Sequence, residues 1–227
     1  MKTILITGAT GNLGNAVTRT FLDKGYTIIA TTTSKEGIKE LPVEVQGEVA
    51  DLTKEDDTAQ MIGRIIQQHG KIDAALMLVG GFAMGKINAT KSADIQKQID
   101  LNFNTAYHVA RPVLNQMEKQ QSGRLVFIGS RPALSARDGK NMIAYALSKS
   151  MLFKLAEYIN EEMKGKNIAA AVVVPSTIDT PQNRKSMPDS DPSKWVKPTD
   201  LARMIEFICS DAAKALREPV LKVYGES

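Results

Sequence analysis

A doubly wound α/β sheet of about seven parallel strands is the fold class that this 227-residue sequence predicts. Three observations carry the prediction. Short apolar runs alternate with longer amphipathic stretches along the whole chain. Several runs are apolar at consecutive positions, as strands buried on both faces of a parallel sheet must be. The first run also enters the first helix through a turn holding Gly8, Gly11 and Gly14.

Strands are expected at 3–7 (TILIT), 27–32, 43–49, 74–80, 124–130, 169–175 and 219–225. Helices are expected at 12–24, 53–68, 92–119, 143–164 and 199–214. Asp-Lys-Gly closes the first helix at Gly25, because glycine takes the left-handed conformation that ends helices. Asp94 and Asp200 suit first helical turns. There is no internal repeat, low-complexity tract or composition break, so 1–227 is expected to be a single domain. Residues 175–198 hold 5 of the 9 prolines and read as a long loop. A loop of that length after the carboxyl end of a strand is a place for ligands, so 176–198 is expected to be a substrate and cofactor loop.

Composition narrows the function. Hydrophobic residues make up 43% and charged residues 24%, and 29 basic side chains nearly balance 25 acidic ones, for a net charge of +4. No basic run appears, which argues against nucleic acid. The amino-terminal apolar run is too short for a signal-peptide core, and no stretch approaches membrane-spanning length. A cytoplasmic protein without membrane attachment is expected. The one cysteine, Cys209, lies in the apolar run IEFICS and reads as a buried core thiol. The two histidines, His69 and His108, have no ligand cluster around them, and no metal is expected. His69, at a helix end, reads as a charge–dipole contact.

The glycine turn has a chemical reading. A dinucleotide site needs a tight strand-to-helix turn, close backbone approach to the pyrophosphate, and helix N-terminal amides facing negative charge. That makes the fold Rossmann-type and 1–227 a single dinucleotide-binding and catalytic domain. After the second strand, ATTTSKEG has no acid at the strand end. Thr32, Thr33 and Ser34 offer hydroxyls and Lys35 a positive charge, so a 2′-phosphate is accommodated: NADP(H) is preferred, with NAD(H) possible.

A second pattern lies at IAYALSK (143–149), where Tyr145 precedes Lys149 by four residues. With 5 Tyr and 20 Lys in the chain, such a pair arises by accident about 0.4 times, so its weight comes from its surroundings. TGATGNLG (7–14) resembles the cofactor loop of short-chain dehydrogenase/reductases, although Gly-x-x-Gly-x-x-Gly departs from their commonest spacing. It is closer to extended members and to dihydropteridine reductase-like ones. Only 78 residues follow Lys149, too few for the extended group. LMLVGGF (76–82) stands where the family has Asn-Asn-Ala-Gly, with Met77, Leu78 and Val79 replacing the first three residues. This stretch and TPQNRKSMP (180–188) look like the dihydropteridine reductase branch. PSTIDT (175–180) resembles Pro-Gly-x-Ile-x-Thr, with Ser176 in place of glycine, which is expected to stiffen the turn.

The resemblance covers nearly the whole chain and implies a tetrad: Asn102, Ser130, Tyr145 and Lys149. Reduction of a carbonyl develops an alkoxide that needs a proton and fixed hydrogen-bond donors. Tyr145 would be the acid, and Lys149, on the same helix face, would lower its pKa and bond the nicotinamide ribose. Ser130 would hold the substrate oxygen. It stands 15 residues before Tyr145, which implies a small insertion. Asn102 would anchor a water that relays protons to Lys149. The serine argues against the dihydropteridine reductase branch, whose pattern lacks it. The resemblance places the cofactor on Gly8, Thr10, Gly11, Asn12, Leu13, Gly14, Asp51, Leu52, Val79, Gly80, Gly81, Pro175, Ile178 and Thr180, with Tyr145 and Lys149. Asp51 would meet the adenine, or serve as the N-cap of the helix that follows it, and both roles can hold together. The expected activity is NAD(P)(H)-dependent hydride transfer on a carbonyl/alcohol substrate by a homodimer or homotetramer. The alternatives are a pteridine-type C=N reductase and a dinucleotide sensor without turnover.

Overall fold

The computed structural model describes residues 1–226. Its strands are β1 Thr3–Thr7, β2 Thr27–Thr32, β3 Gln46–Val49, β4 Ala74–Met77, β5 Ser122–Ile128, β6 Asn167–Pro175 and β7 Val220–Val223. They form one parallel sheet in the order β3-β2-β1-β4-β5-β6-β7. The order reverses between β1 and β4, and the crevice beyond the carboxyl ends of these two strands is where such sheets take ligands.

The helices are α1 Asn12–Asp23, α2 Lys35–Ile38, α3 Glu55–His69, α4 Ser92–Ile99, α5 Thr105–Gln120, α6 Arg131–Leu134, α7 Ala136–Gly139, α8 Ile143–Glu162, α9 Pro181–Ser186 and α10 Pro198–Cys209. Both faces of the sheet are covered, and β1 shows how one strand serves both. Leu5 packs with Met61, Ile65, Val113 and Phe153 of α3, α5 and α8. Ile4 and Ile6 pack with Val17, Phe21, Leu201 and Ile205 of α1 and α10. Alternate side chains leave opposite faces, so a strand with both faces buried is apolar at consecutive positions, here Ile4, Leu5 and Ile6.

Four differences from the sequence reading have local causes. The single helix expected over 92–119 is α4 and α5 joined by a π-helical turn, Asp100–Asn104. The extra residue per turn carries Asn102 to full burial. The third strand starts at Gln46, because Val45 N closes a turn onto Pro42 O at 3.0 Å. The insertion between Ser130 and Tyr145 is the pair of short helices α6 and α7. The loop expected at 176–198 contains α9 and a 3-10 turn at Pro192–Lys194. Thr180 caps α9 by accepting from Asn183 N at 3.1 Å, and Pro181 takes its first position. That Thr-Pro signal is readable in the sequence. Gly25 adopts φ +76° just after α1, as expected.

Candidate active site

All seven strands run in one direction, so their carboxyl ends share one edge. The residues expected to take part in catalysis and cofactor binding lie at or near it. The glycine turn is built by the absence of atoms. Gly8 has φ +68°, and a Cβ on Gly14 would lie 2.0 Å from Gly8 O and 2.7 Å from Ala9 Cα. No side chain fits there. Gly11 N donates to Gly8 O at 3.0 Å, and α1 starts without a side-chain cap or an acid in its first turn. Its leading amides, from Asn12 and Leu13 onward, are left to a ligand or water.

At the end of β2, Thr32 Oγ1 donates to Ser34 O at 2.9 Å, and Ser34 Oγ caps α2 by accepting from Gly37 N at 3.2 Å. Thr33 and Lys35 are exposed beside them. Asp51 holds its own turn: its carboxylate accepts from Thr53 N at 3.0 Å and Thr53 Oγ1 at 2.6 Å. These bonds keep its pKa below the usual carboxylate range. It is not the N-cap of α3, which begins after Lys54. Leu52 O meets His108 Nδ1 at 2.9 Å, so that histidine is occupied structurally, and His69 Nε2 lies 2.9 Å from Gln46 Oε1. Among the described residues no three His, Cys, Asp or Glu side chains gather as a metal site would require.

The amides of Leu78 and Val79, just after β4, need a partner. Thr7 supplies it from β1: its Oγ1 accepts from Leu78 N at 3.0 Å and Val79 N at 3.4 Å, and donates to Leu76 O at 3.3 Å. Beyond lies a buried polar network that the sequence reading missed. Asn102 Oδ1 accepts from Gly81 N at 2.9 Å. The two hydrogens of its Nδ2 are shared among Gly81 O (3.1 Å), Gln98 Oε1 (3.0 Å) and Ser148 Oγ (3.1 Å). Ser148 Oγ in turn donates to Tyr145 O at 2.9 Å. Asn102 thereby ties the π turn, the strand-end glycines and α8 together. Gln98 lies one helical turn before Asn102 and Ser148 immediately before Lys149, and those spacings are the signal that could have found them.

Lys149 is buried and donates to Ile128 O at 2.8 Å. Burial lowers its pKa from 10.5 to about 8. Gly80 lies against it, since a Cβ there would sit 3.1 Å from Lys149 Nζ and 2.7 Å from Asn102 Oδ1. Tyr145 is itself largely enclosed. Burial raises its pKa, and proximity to Ser130 pulls it part of the way back. The Ser130 contact is looser than an ordinary hydrogen bond, because Ser130 Oγ is buried with no partner of good geometry. The sequence reading expects Lys149 to lower the Tyr145 pKa; here burial dominates and raises it, and the Lys149 ammonium is engaged by Ile128 O.

Past β6, Ser176 Oγ donates to Tyr224 O at 2.6 Å, which stitches the Pro175 turn to the segment after β7. Asn183 Nδ2 donates to Ile178 O at 2.8 Å, and Arg184 pairs with Asp179 through two bonds of 2.6 and 2.8 Å. A cavity of about 410 Å³ lies at the opposite edge of the sheet, lined by Lys2, Arg124 and Cys209 among others. It contains none of the residues expected to take part in catalysis or cofactor binding. Cys209 there is buried, which pushes its thiol up to about 12 and keeps it protonated.

The crevice fits a dinucleotide. The glycine turn leaves a cradle that a Cβ would fill, Gly80 does the same beside Lys149, and Ser130 Oγ is buried near Tyr145 without a hydrogen-bond partner of good geometry. A sequence model of the short chain dehydrogenase family matches residues 2–191, and the chain belongs to that family. It is an NAD(P)-dependent oxidoreductase.

Among its relatives is the 3-oxoacyl-(acyl-carrier-protein) reductase of Thermotoga maritima, 27% identical over 99% of this chain and 96% of its own length. The 2,3-dihydro-2,3-dihydroxybenzoate dehydrogenase of Escherichia coli is 25% identical over 100% of this chain and 96% of its own. An oxidoreductase of the family from Burkholderia thailandensis superimposes with a TM-score of 0.85 at 27% identity, over 99% of this chain and 91% of that one. The fold is also that of ElxO, solved with NADP bound, at a TM-score of 0.92 and 24% identity over 99% of this chain and 97% of that one. No helix of the described residues is long and apolar enough to cross a membrane.

Proposed function

We propose that the whole chain works as one unit that interconverts a carbonyl and an alcohol, with Tyr145 as the proton donor and acceptor. The observation that carries this is Ser130 Oγ, buried and unpaired beside the phenol of Tyr145. A buried polar atom without a partner costs about 1–3 kcal/mol. A substrate oxygen placed between Ser130 and Tyr145 would remove that cost. A bound nicotinamide supplies the hydride in one direction and takes it up in the other.

In the reductive direction Tyr145 gives its proton to the substrate oxygen as negative charge develops there, and Ser130 donates a hydrogen bond to the same atom. Burial keeps Tyr145 protonated until then. Lys149, with a pKa near 8, carries a proton at neutral pH and can release it toward the phenolate. Asn102 fixes α8 against Gly81, so that both groups face the crevice together. Gly8 to Gly14, with Thr10 among them, would receive the pyrophosphate, Asp51 and Leu52 the adenine, and Val79 to Gly81 the passing cofactor. Pro175, Ile178 and Thr180 would meet the carboxamide.

Thr32, Thr33, Ser34 and Lys35 support NADP(H) over NAD(H), since no acid stands among them to repel a 2′-phosphate. A homodimer or homotetramer in the cytoplasm is part of the same reading. The relatives that act on oxo and hydroxy compounds support carbonyl/alcohol chemistry, and nothing in the crevice favours a C=N substrate or a silent sensor.

The test is Tyr145→Phe. Turnover should fall by about 10²–10⁴, while the cofactor dissociation constant stays unchanged in a fluorescence titration. Turnover near the wild-type rate would remove Tyr145 from the acid role. In the same titration NADPH should bind more tightly than NADH, and Lys35→Ala should weaken NADPH about threefold to tenfold without changing NADH. The reverse order of affinities would defeat the Lys35 argument.

A further inference from the structure

We infer that Phe82 and Met84 form an apolar subsite beside Tyr145, and that the substrate carries an aromatic or aliphatic group next to its reacting carbonyl. This rests on the reading of Tyr145 as the proton donor. The segment after β4 is an arch pinned at both ends. At its root, Gly81 exchanges two hydrogen bonds with Asn102, at 2.9 and 3.1 Å. At its far end, Gly85 N donates to Asn141 O at 2.7 Å, and Ile143 N donates to Gly85 O at 3.0 Å. The second anchor is the first residue of α8, two positions before Tyr145.

Between the anchors, Phe82 is 60% exposed and Met84 is 66% exposed, with the smaller Ala83 between them. The arch between the anchors is fixed by four hydrogen bonds, two to the Asn102 side chain and two to backbone. The Phe82 ring packs edge-on against the Tyr145 ring, with centroids 5.1 Å apart and an angle of 71°. The residue that supplies the proton and the exposed apolar face are therefore in direct contact. No charged side chain occurs from Ala74 to Gly85. Exposed apolar surface is unfavourable in water and marks a place that something apolar covers. Its contact with Tyr145 puts this surface beside the carbonyl that Tyr145 and Ser130 would hold, so the occupant we assign is the substrate.

Two methyl ketones that differ only at the far carbon test this: 4-phenyl-2-butanone and 4-hydroxy-2-butanone. Binding to the wild-type protein with saturating oxidised cofactor is read by calorimetry, and kcat/KM is read with reduced cofactor. The phenyl compound should win by about tenfold or more in both. Phe82→Ser should collapse that ratio through KM, and Met84→Ser should reduce it less. Val43→Ser, another exposed apolar residue outside the crevice, should leave it alone.

Equal binding of the two ketones, preference for the hydroxy compound, or no binding of either overturns the apolar subsite. So does a Phe82→Ser protein that keeps the ratio but loses an oligomer, because the face would then be an interface between copies. Tyr145→Phe separates the two readings: turnover surviving in that variant removes the proton donor, whichever ketone is preferred.

Discussion

The two walls of the crevice are built on opposite principles. The β1–α1 turn works because atoms are missing. Its backbone passes so close to itself that Gly14 has no room for even a methyl group. The wall made by the π turn and α8 works because particular atoms are present. Asn102, Gln98 and Ser148 hold it with buried hydrogen bonds, and the Lys149 ammonium with a hydrogen bond donated to a carbonyl. The first wall therefore fails by addition and the second by deletion. The first should fail abruptly, since a backbone clash has no soft partner. The second should fail gradually, since a network with several members keeps some bonds when one is lost.

The sharpest way to break the comparison is Gly14→Ala. Both colliding groups are backbone, so the variant should lose at least about 3 kcal/mol of stability, at the upper end of overpacking costs. In a domain of this size that lowers Tm by roughly 2–4 °C per kcal/mol. Cofactor binding should disappear with it. A variant that melts normally and still binds would mean that the turn can open, and the steric account of the first wall would be wrong.

Lys149→Met probes the second wall through pH. The pKa of Lys149 is about 8 in the fold and 10.5 when exposed. Below about pH 8 both states carry the proton, and the fold bears the full cost of the buried charge. Between about pH 8 and 10.5 the unfolded chain holds more protons, so stability gained from this residue rises with pH. Above that range the cost is gone. Urea unfolding of wild type and variant should show the wild type gaining roughly 3 kcal/mol relative to Lys149→Met across that window. A constant difference would mean that the lysine is not desolvated. Ser148→Ala should have the smallest effect, about 1 kcal/mol in thermal unfolding, because Asn102 keeps Gln98 and Gly81 as acceptors. A much larger loss would make Ser148 the keystone of the wall.

Legibility in the sequence follows the same division. The seven strands and the glycine turn rest on patterns spanning a few residues each, and the places of Asn102, Ser130, Tyr145 and Lys149 rest on a family resemblance carried by short motifs. The Asn102–Ser148 bond joins residues 46 positions apart; spacing marks Gln98 and Ser148 as neighbours of Asn102 and Lys149 but does not announce that bond. The π turn that aims Asn102 inward was equally hidden, because the apolar periodicity of 92–119 reads as one continuous helix. Thr7 gave no sign that it would support the Leu78 and Val79 amides, which lie more than 70 residues away. By contrast α9 was missed although Thr180-Pro181 announced it locally.

The sequence by itself determined the sheet, the edge at which chemistry gathers, and the kinds of side chain that gather there. Strand periodicity and glycine sterics act over short range, and they survive whatever the rest of the chain does. Only the tertiary structure decided the state of those side chains. It enclosed Lys149 and turned its charge to Ile128 O, left Ser130 without a partner, and pressed Phe82 against Tyr145. Burial, and with it pKa and hydrogen-bond satisfaction, is a property of the whole packed assembly. It comes from residues that meet only when the sheet has closed over its helices.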